Sequence, residues 1–190
     1  MKAILMSIKP RFVAKILNGE KTIEVRKRFT ASYRGRVYIY CTKDKKKHLY
    51  PVALLDKHNK VFKRGYKEDD IDNRANYLNG KVVARFYCDN VEEILVKPNG
   101  NYYTNTLSNN KLLTQSCLSQ KEIFEYTKCH ISKISGCWIS DYTIHISDLE
   151  IFDKPKELCG FRKYYRSKGY PQNQSWYLTK TPQSRCYIEV

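Results

Sequence analysis

The sequence predicts a mixed α+β protein built as a partly open β-barrel, with a short helix after the first strand and further helices packed on the barrel. Three observations carry that expectation. The apolar runs are short and lie far apart, and several alternate with the period of two expected of strands. Helical patterning is confined to short stretches, the first directly after the first strand. Long polar connections separate the strands, which argues against regular β–α–β alternation around a parallel sheet.

Residues 3–8, AILMSI, read as a buried strand. Pro10 follows at a first helical position, where its missing N–H costs nothing. Phe12, Val13, Ile16 and Leu17 share one helical face, and Asn18-Gly19 ends the helix with a left-handed glycine cap. In residues 21–26, Ile23 and Val25 take one face of a strand while Thr22, Glu24 and Arg26 take the other. Further strands are expected at 37–41, 81–88, 91–96, 142–152 and 186–190, with Ile144, Ile146 and Leu149 inward in the fourth of these. Residues 43–80 read as a long loop with a short helix near 68–77, and 97–111 as a surface loop. Ser119-Gln120-Lys121-Glu122 is a capping-box pattern opening a helix through about Lys128. A helical piece is expected near 155–166.

The chain has 190 residues, enough for one domain with a real core. The expected organisation is a single domain over 1–190, with insertions at about 43–80 and 97–130. Hydrophobic residues make up 42%, which separates the chain from disordered proteins. Sixteen tyrosines against seven phenylalanines suggest strands with one wet face and surfaces on which bases stack.

The formal net charge is +16, and it is unevenly placed. Residues 1–47 hold fourteen Lys and Arg against three acids. Such a concentrated field attracts polyanions, so RNA or a nucleotide is the expected partner, although an acidic protein partner fits the charge equally well. A solvated lysine-rich surface gives the same excess. Lys43, Lys45, Lys46 and Lys47 read first as a solvated loop, or as cations tracking an RNA backbone. No stretch approaches 18 apolar residues, so no membrane span is expected. Residues 1–20 lack a signal-peptide run, and seven cysteines without framework spacing suggest reduced thiols in a cytoplasm.

Lys21, Glu24 and Arg26 form the strongest candidate site. Two cations and a carboxylate at a strand–helix corner can hold a phosphate, orient a base edge or move a proton. A solvated ion-pair ladder uses the same residues. Ser7 and Lys9, at the end of the first strand and the start of the helix, are the next candidates for a phosphate. Trp138 reads as core or as a stacking platform, and Trp176 likewise. Cys117, Cys129, His130 and Cys137 lack the spacing of a zinc site, and no metal or other cofactor is expected. His145 reads as structural. Nucleotide-binding glycine loops and a nucleophile elbow are absent from the sequence.

Ser7-Ile8-Lys9-Pro10 and Ile16-Leu17-Asn18-Gly19-Glu20-Lys21-Thr22-Ile23-Glu24-Val25-Arg26 resemble the opening of ASCH-domain proteins, whose signature is G-x-K-x-x-E-x-R. All four positions match. Trp138-Ile139-Ser140, the stretch Asp148-Leu149 through Leu158, and Pro182-Gln183-Ser184 resemble later parts of ASCH proteins common in phages and prophages. The resemblance implies a PUA-like β-barrel that binds RNA or modified bases in a basic cleft beside the first helix. It also implies two possible activities, hydrolysis of N4-acetylcytidine and ribonuclease action. The hydrolases use a Lys, a Thr and a Glu. The Lys matches Lys21, the Thr position falls on Glu24, and the Glu falls at Glu92 or Glu93. A chemical role would make Lys21 the base and Glu24 its proton relay. A binding role would have Glu24, held ionised by Arg26, accept a hydrogen bond from a cytosine amino group.

Overall fold

The computed structural model describes residues 1–43, 54–55, 61–63, 80–96, 101–127, 138–164 and 176–190. The helix expected near 68–77 lies outside them, as do Lys45, Lys46, Lys47, Cys129, His130 and Cys137. The fold is mixed α+β. The chain groups into two compact units, one of Met1–Asn18, Arg36–Phe86 and Asp148–Val190, the other of Gly19–Gly35 and Tyr87–Ser147.

The first unit is organised by a six-stranded sheet. Its strands are β1 (Lys2–Ile8), β3 (Gly35–Cys41), β6 (Val82–Cys88), β10 (Ser147–Lys156), β11 (Arg162–Lys163) and β12 (Arg185–Glu189), in the order β10-β6-β3-β1-β12-β11. The apolar run of β1 explains its central place, since Ala3, Ile4, Leu5 and Met6 are all fully buried. β1 pairs parallel with β3, Ile4 facing Val37, and antiparallel with β12, Ile4 facing Tyr187. One face builds a core from Ala3, Leu5, Tyr38, Tyr40, Val82, Phe161, Leu178 and Ile188. The strand order is open at β10 and β11, so the described pairings do not close a barrel. Residues 54–55 and 61–63, inside the expected long loop, pair as short strands β4 and β5.

Helix α1 (Pro10–Leu17) begins on proline as expected and buries Val13, Ala14, Ile16 and Leu17. Phe12 is exposed to an intermediate degree, with the Arg11 guanidinium over its ring. No α-helix forms over 155–164, the described part of the stretch expected to be helical. Pro155 instead sits in β10, an edge strand, where proline's missing N–H breaks no interior ladder. A single 3₁₀ turn, Leu158–Gly160, follows.

The second unit carries a four-stranded sheet of β2 (Ile23–Arg26), β7 (Val91–Val96), β8 (Tyr102–Tyr103) and β9 (Trp138–His145), in the order β2-β9-β7-β8. Ile23 and Val25 pack with Ile94, Tyr102, Leu112 and Ile123, the last two from helices α2 (Asn109–Ser116) and α3 (Gln120–Thr127). The strand expected over 142–152 is thus two strands, β9 and β10, separated at Ile146. Ile144 is buried as expected, whereas Ile146 is half-buried and Leu149 likewise. The capping box forms: the Ser119 N–H donates to Glu122 Oε2 at 2.9 Å, and the Glu122 N–H donates to Ser119 Oγ at 3.2 Å. Helix α2 falls partly inside the expected surface loop. Its polar sequence, NNKLLTQS, buries only Leu112 and Ser116, too few for an apolar period.

Gly19 has φ +74 and open space where a Cβ would stand. Gly19→Ala therefore costs about 1 kcal/mol through backbone strain alone, measured by denaturant unfolding. Gly19→Asn, which tolerates the left-handed region better, recovers part of that loss.

Candidate functional site

The three signature side chains come together in the second unit, and they are buried. Lys21 is 2% exposed, and Glu24 and Arg26 are nearly as enclosed. The Lys21 ammonium donates to the Ser116 carbonyl at 2.7 Å and lies 3.3 Å from Glu24 Oε2. Arg26 Nε lies 3.0 Å from Glu24 Oε1. Each Glu24 oxygen thus faces one cation.

Local structure explains the placement. Ser116 is the last residue of α2, where carbonyls lack helical partners and the helix dipole is negative. Cys117 then takes a left-handed conformation, φ 51, that turns the chain away. The Thr22 N–H donates to the Gln115 carbonyl at 3.0 Å, and Cys117 Sγ lies 3.3 Å from the Glu20 carbonyl. The segment before β2 is therefore stitched to the C-terminus of α2, and Lys21 caps that helix. Burial lowers the Lys21 pKa, and the neighbouring Glu24 carboxylate opposes that shift. A fully solvated ion-pair ladder does not describe this cluster.

Around it stand groups that the sequence motif does not contain. On α3, Tyr126 shares a hydrogen bond with Arg26, and its side chain is 40% exposed, with Lys27 Nζ 5.3 Å from the ring centre. Lys27 and Arg28 are exposed. Asp141, on β9, is 1% exposed, and neither carboxylate oxygen has a hydrogen-bond partner among the described residues. Burial pushes its pKa up to about 7, against the opposing charge of Lys27. These residues escape a sequence reading because they come from separate elements; the one signal is the alternation of polar Asp141 and Thr143 in a strand pattern.

Glu92 and Glu93 part company. Glu92 is held by Asn90 Nδ2 at 2.8 Å, Thr106 Oγ1 at 2.7 Å and the Thr106 N–H at 3.2 Å. Burial works against its charge, and hydrogen bonds from Thr104 and Thr106 outweigh it, so its pKa falls below the ordinary range. That carboxylate fastens the 101–108 segment. Glu93 pairs with Tyr142, which pairs with Arg26 across β9, so these three share a sheet face.

Ser7 and Lys9 belong to the first unit. The Ser7 hydroxyl donates to the Pro182 carbonyl at 2.7 Å and is buried, whereas Lys9 is exposed at the N-terminus of α1. Trp138 opens β9 opposite Val96, and its side chain lies outside the described residues. His145 Nδ1 lies 2.6 Å from Asp89 Oδ1 at the surface. Among the described residues no cluster of potential metal ligands occurs, five cysteines are free thiols, and no helix is long and apolar enough to cross a membrane.

Asp141 makes a signed prediction. Its folded pKa, about 7, stands above the ordinary 3.8. Its favourable contribution is complete below about pH 4 and is lost as pH rises through about 7. Thermal melts between pH 4 and 8 are expected to fall more steeply for the wild type than for Asp141→Asn. At pH 8 the variant is the more stable by about 1–3 kcal/mol. Parallel curves for the two proteins contradict this.

No protein-family model matches the chain, and no curated protein matches it. Solved structures do. The chain is similar to ASCH from Zymomonas mobilis at 16% identity, over 94% of this chain and 88% of that one, with a TM-score of 0.39. Two mutant forms of the Zymomonas mobilis protein align at 14% and 16% identity, over 83% and 98% of this chain and 77% and 88% of theirs, with TM-scores of 0.42 and 0.41. These are ASCH-domain structures, the family that the Gly19-x-Lys21-x-x-Glu24-x-Arg26 motif resembles.

Proposed function

We propose that the chain is a PUA-like ASCH domain that binds single-stranded RNA or a modified nucleotide at the basic corner formed by β2 and α3. The observation that carries this reading is the buried Lys21–Glu24–Arg26 cluster lying in sequence beside the exposed cations Lys27 and Arg28. The cluster fixes the corner; the exposed cations meet phosphates; the Tyr126 ring offers a stacking surface. Ser7, Lys9 and Trp138 are secondary in this reading. The 1–190 chain acts as one cytoplasmic domain, with no cofactor.

Exposed cations give the cleaner test. Removing Lys21 strips Glu24 of a buried partner and costs about 3–5 kcal/mol in stability, which obscures any binding effect. Lys27→Gln with Arg28→Gln is expected to weaken binding of a uridine oligomer. The slope of log affinity against log salt falls by about 0.7 for each phosphate that the variant no longer neutralises. An unchanged affinity and slope overturn the assignment of this corner. Poor competition by RNA against an acidic protein would favour a protein partner instead.

One observation favours a second reading, an amidohydrolase for N4-acetylcytidine. Lys21 Nζ lies 3.3 Å from Glu24 Oε2, within reach of a proton relay, and burial lowers the Lys21 pKa, the direction that a base needs. That reading predicts cytidine release when concentrated protein is incubated with N4-acetylcytidine. Absence of cytidine, with binding retained, leaves the binding role alone.

A further inference from the structure

Asp141 is the least explained group of the second unit. A buried carboxylate without donors is costly, and such groups persist where a function requires them. Both its oxygens are enclosed and unpartnered among the described residues. The backbone also singles it out. Asp141 pairs with Ile94 while Ile139 pairs with Leu95, so Ser140 is an extra residue and β9 bulges next to Asp141. Bulges re-aim side chains and recur beside functional sites.

Its surroundings suggest what it awaits. Lys27 and Tyr126 both lie within electrostatic reach of Asp141, and both reach solvent. Tyr126 has its hydroxyl bonded to Arg26 and its ring partly outside. It is built like a plug, polar end inward and aromatic body outward, near the end of α3. Glu24 is less suited to read a ligand, because each of its oxygens already faces a cation.

We propose that Asp141 is the base-reading residue of this corner, accepting two hydrogen bonds from guanine while Tyr126 swings aside and stacks on the base. Above about pH 7 the Asp141 carboxyl is ionised, an acceptor-only group with two oxygens side by side. Guanine alone among the four RNA bases offers two adjacent donors, its ring N–H and its amino group, on one edge. Lys27 then stands beside the incoming nucleotide, where its phosphate needs a counter-charge. This inference rests on the RNA-binding reading and names the base within it.

The test compares short uridine oligomers carrying one central guanosine, inosine, adenosine or cytidine, with binding read by fluorescence anisotropy. Inosine lacks only the amino donor. The wild-type protein is expected to bind the guanosine oligomer about tenfold more tightly than the inosine one. In Asp141→Asn that ratio collapses toward one, in a protein that melts no lower than wild type. Tyr126→Ala weakens the guanosine oligomer by about tenfold. Equal wild-type affinity for guanosine and inosine oligomers overturns the inference while leaving RNA binding intact, as does a preserved ratio in Asp141→Asn. If no oligomer binds the wild type at all, the RNA reading itself fails and this one with it.

Discussion

The arrangement of the second unit depends on one capped helix end. Lys21 closes the C-terminus of α2 through the Ser116 carbonyl, and the same ammonium holds Glu24, which holds Arg26. The pairing of opposite charges, together with the hydrogen bond from Lys21 to the Ser116 carbonyl, offsets part of the cost of taking these groups out of water. The cap therefore links a helix terminus to the polar face of β2, while Ile23 and Val25 anchor the other face in the apolar core. A motif that reads as a ligand site is thus also a fastening. Its four positions, glycine included, are explained by turn geometry, helix capping and charge pairing before any ligand is considered.

That double use changes where recognition would take place. Groups that hold the corner rigid are engaged with one another, and groups that face outward come from the flanking sequence and from α3. Lys27, Arg28 and Tyr126 are exposed; Asp141 is buried, with its acceptors unpartnered among the described residues. A site preorganised in this way spends little ordering entropy on its support, and its specificity then rests on a small number of polar groups.

Much of the scaffold was legible in the sequence because its signals are local. The β1 run, Pro10 and Gly19 around α1, the alternation in β2 and the Ser119–Glu122 capping box each depend on neighbours a few residues away. Helix α2 was not legible, since NNKLLTQS has no apolar stripe and is stabilised by the tertiary ties of Gln115 and Ser116. The helical piece expected near 155–166 is, among the described residues, only the 3₁₀ turn Leu158–Gly160, because sheet pairing carries β10 through Pro155 at an edge. The site divides the same way. Lys21, Glu24 and Arg26 announce themselves by spacing, whereas their burial, and the approach of Tyr126 and Asp141, depend on the packing of α2, α3, β2 and β9 together.

Photo-crosslinking tests the central claim most directly. A short RNA with a single photoreactive uridine, irradiated with the full-length protein and mapped by mass spectrometry, should attach within residues 20–28 and 120–127. Adducts confined to other segments, such as 1–9 or 43–47, would contradict the assignment of the β2–α3 corner as the nucleotide site.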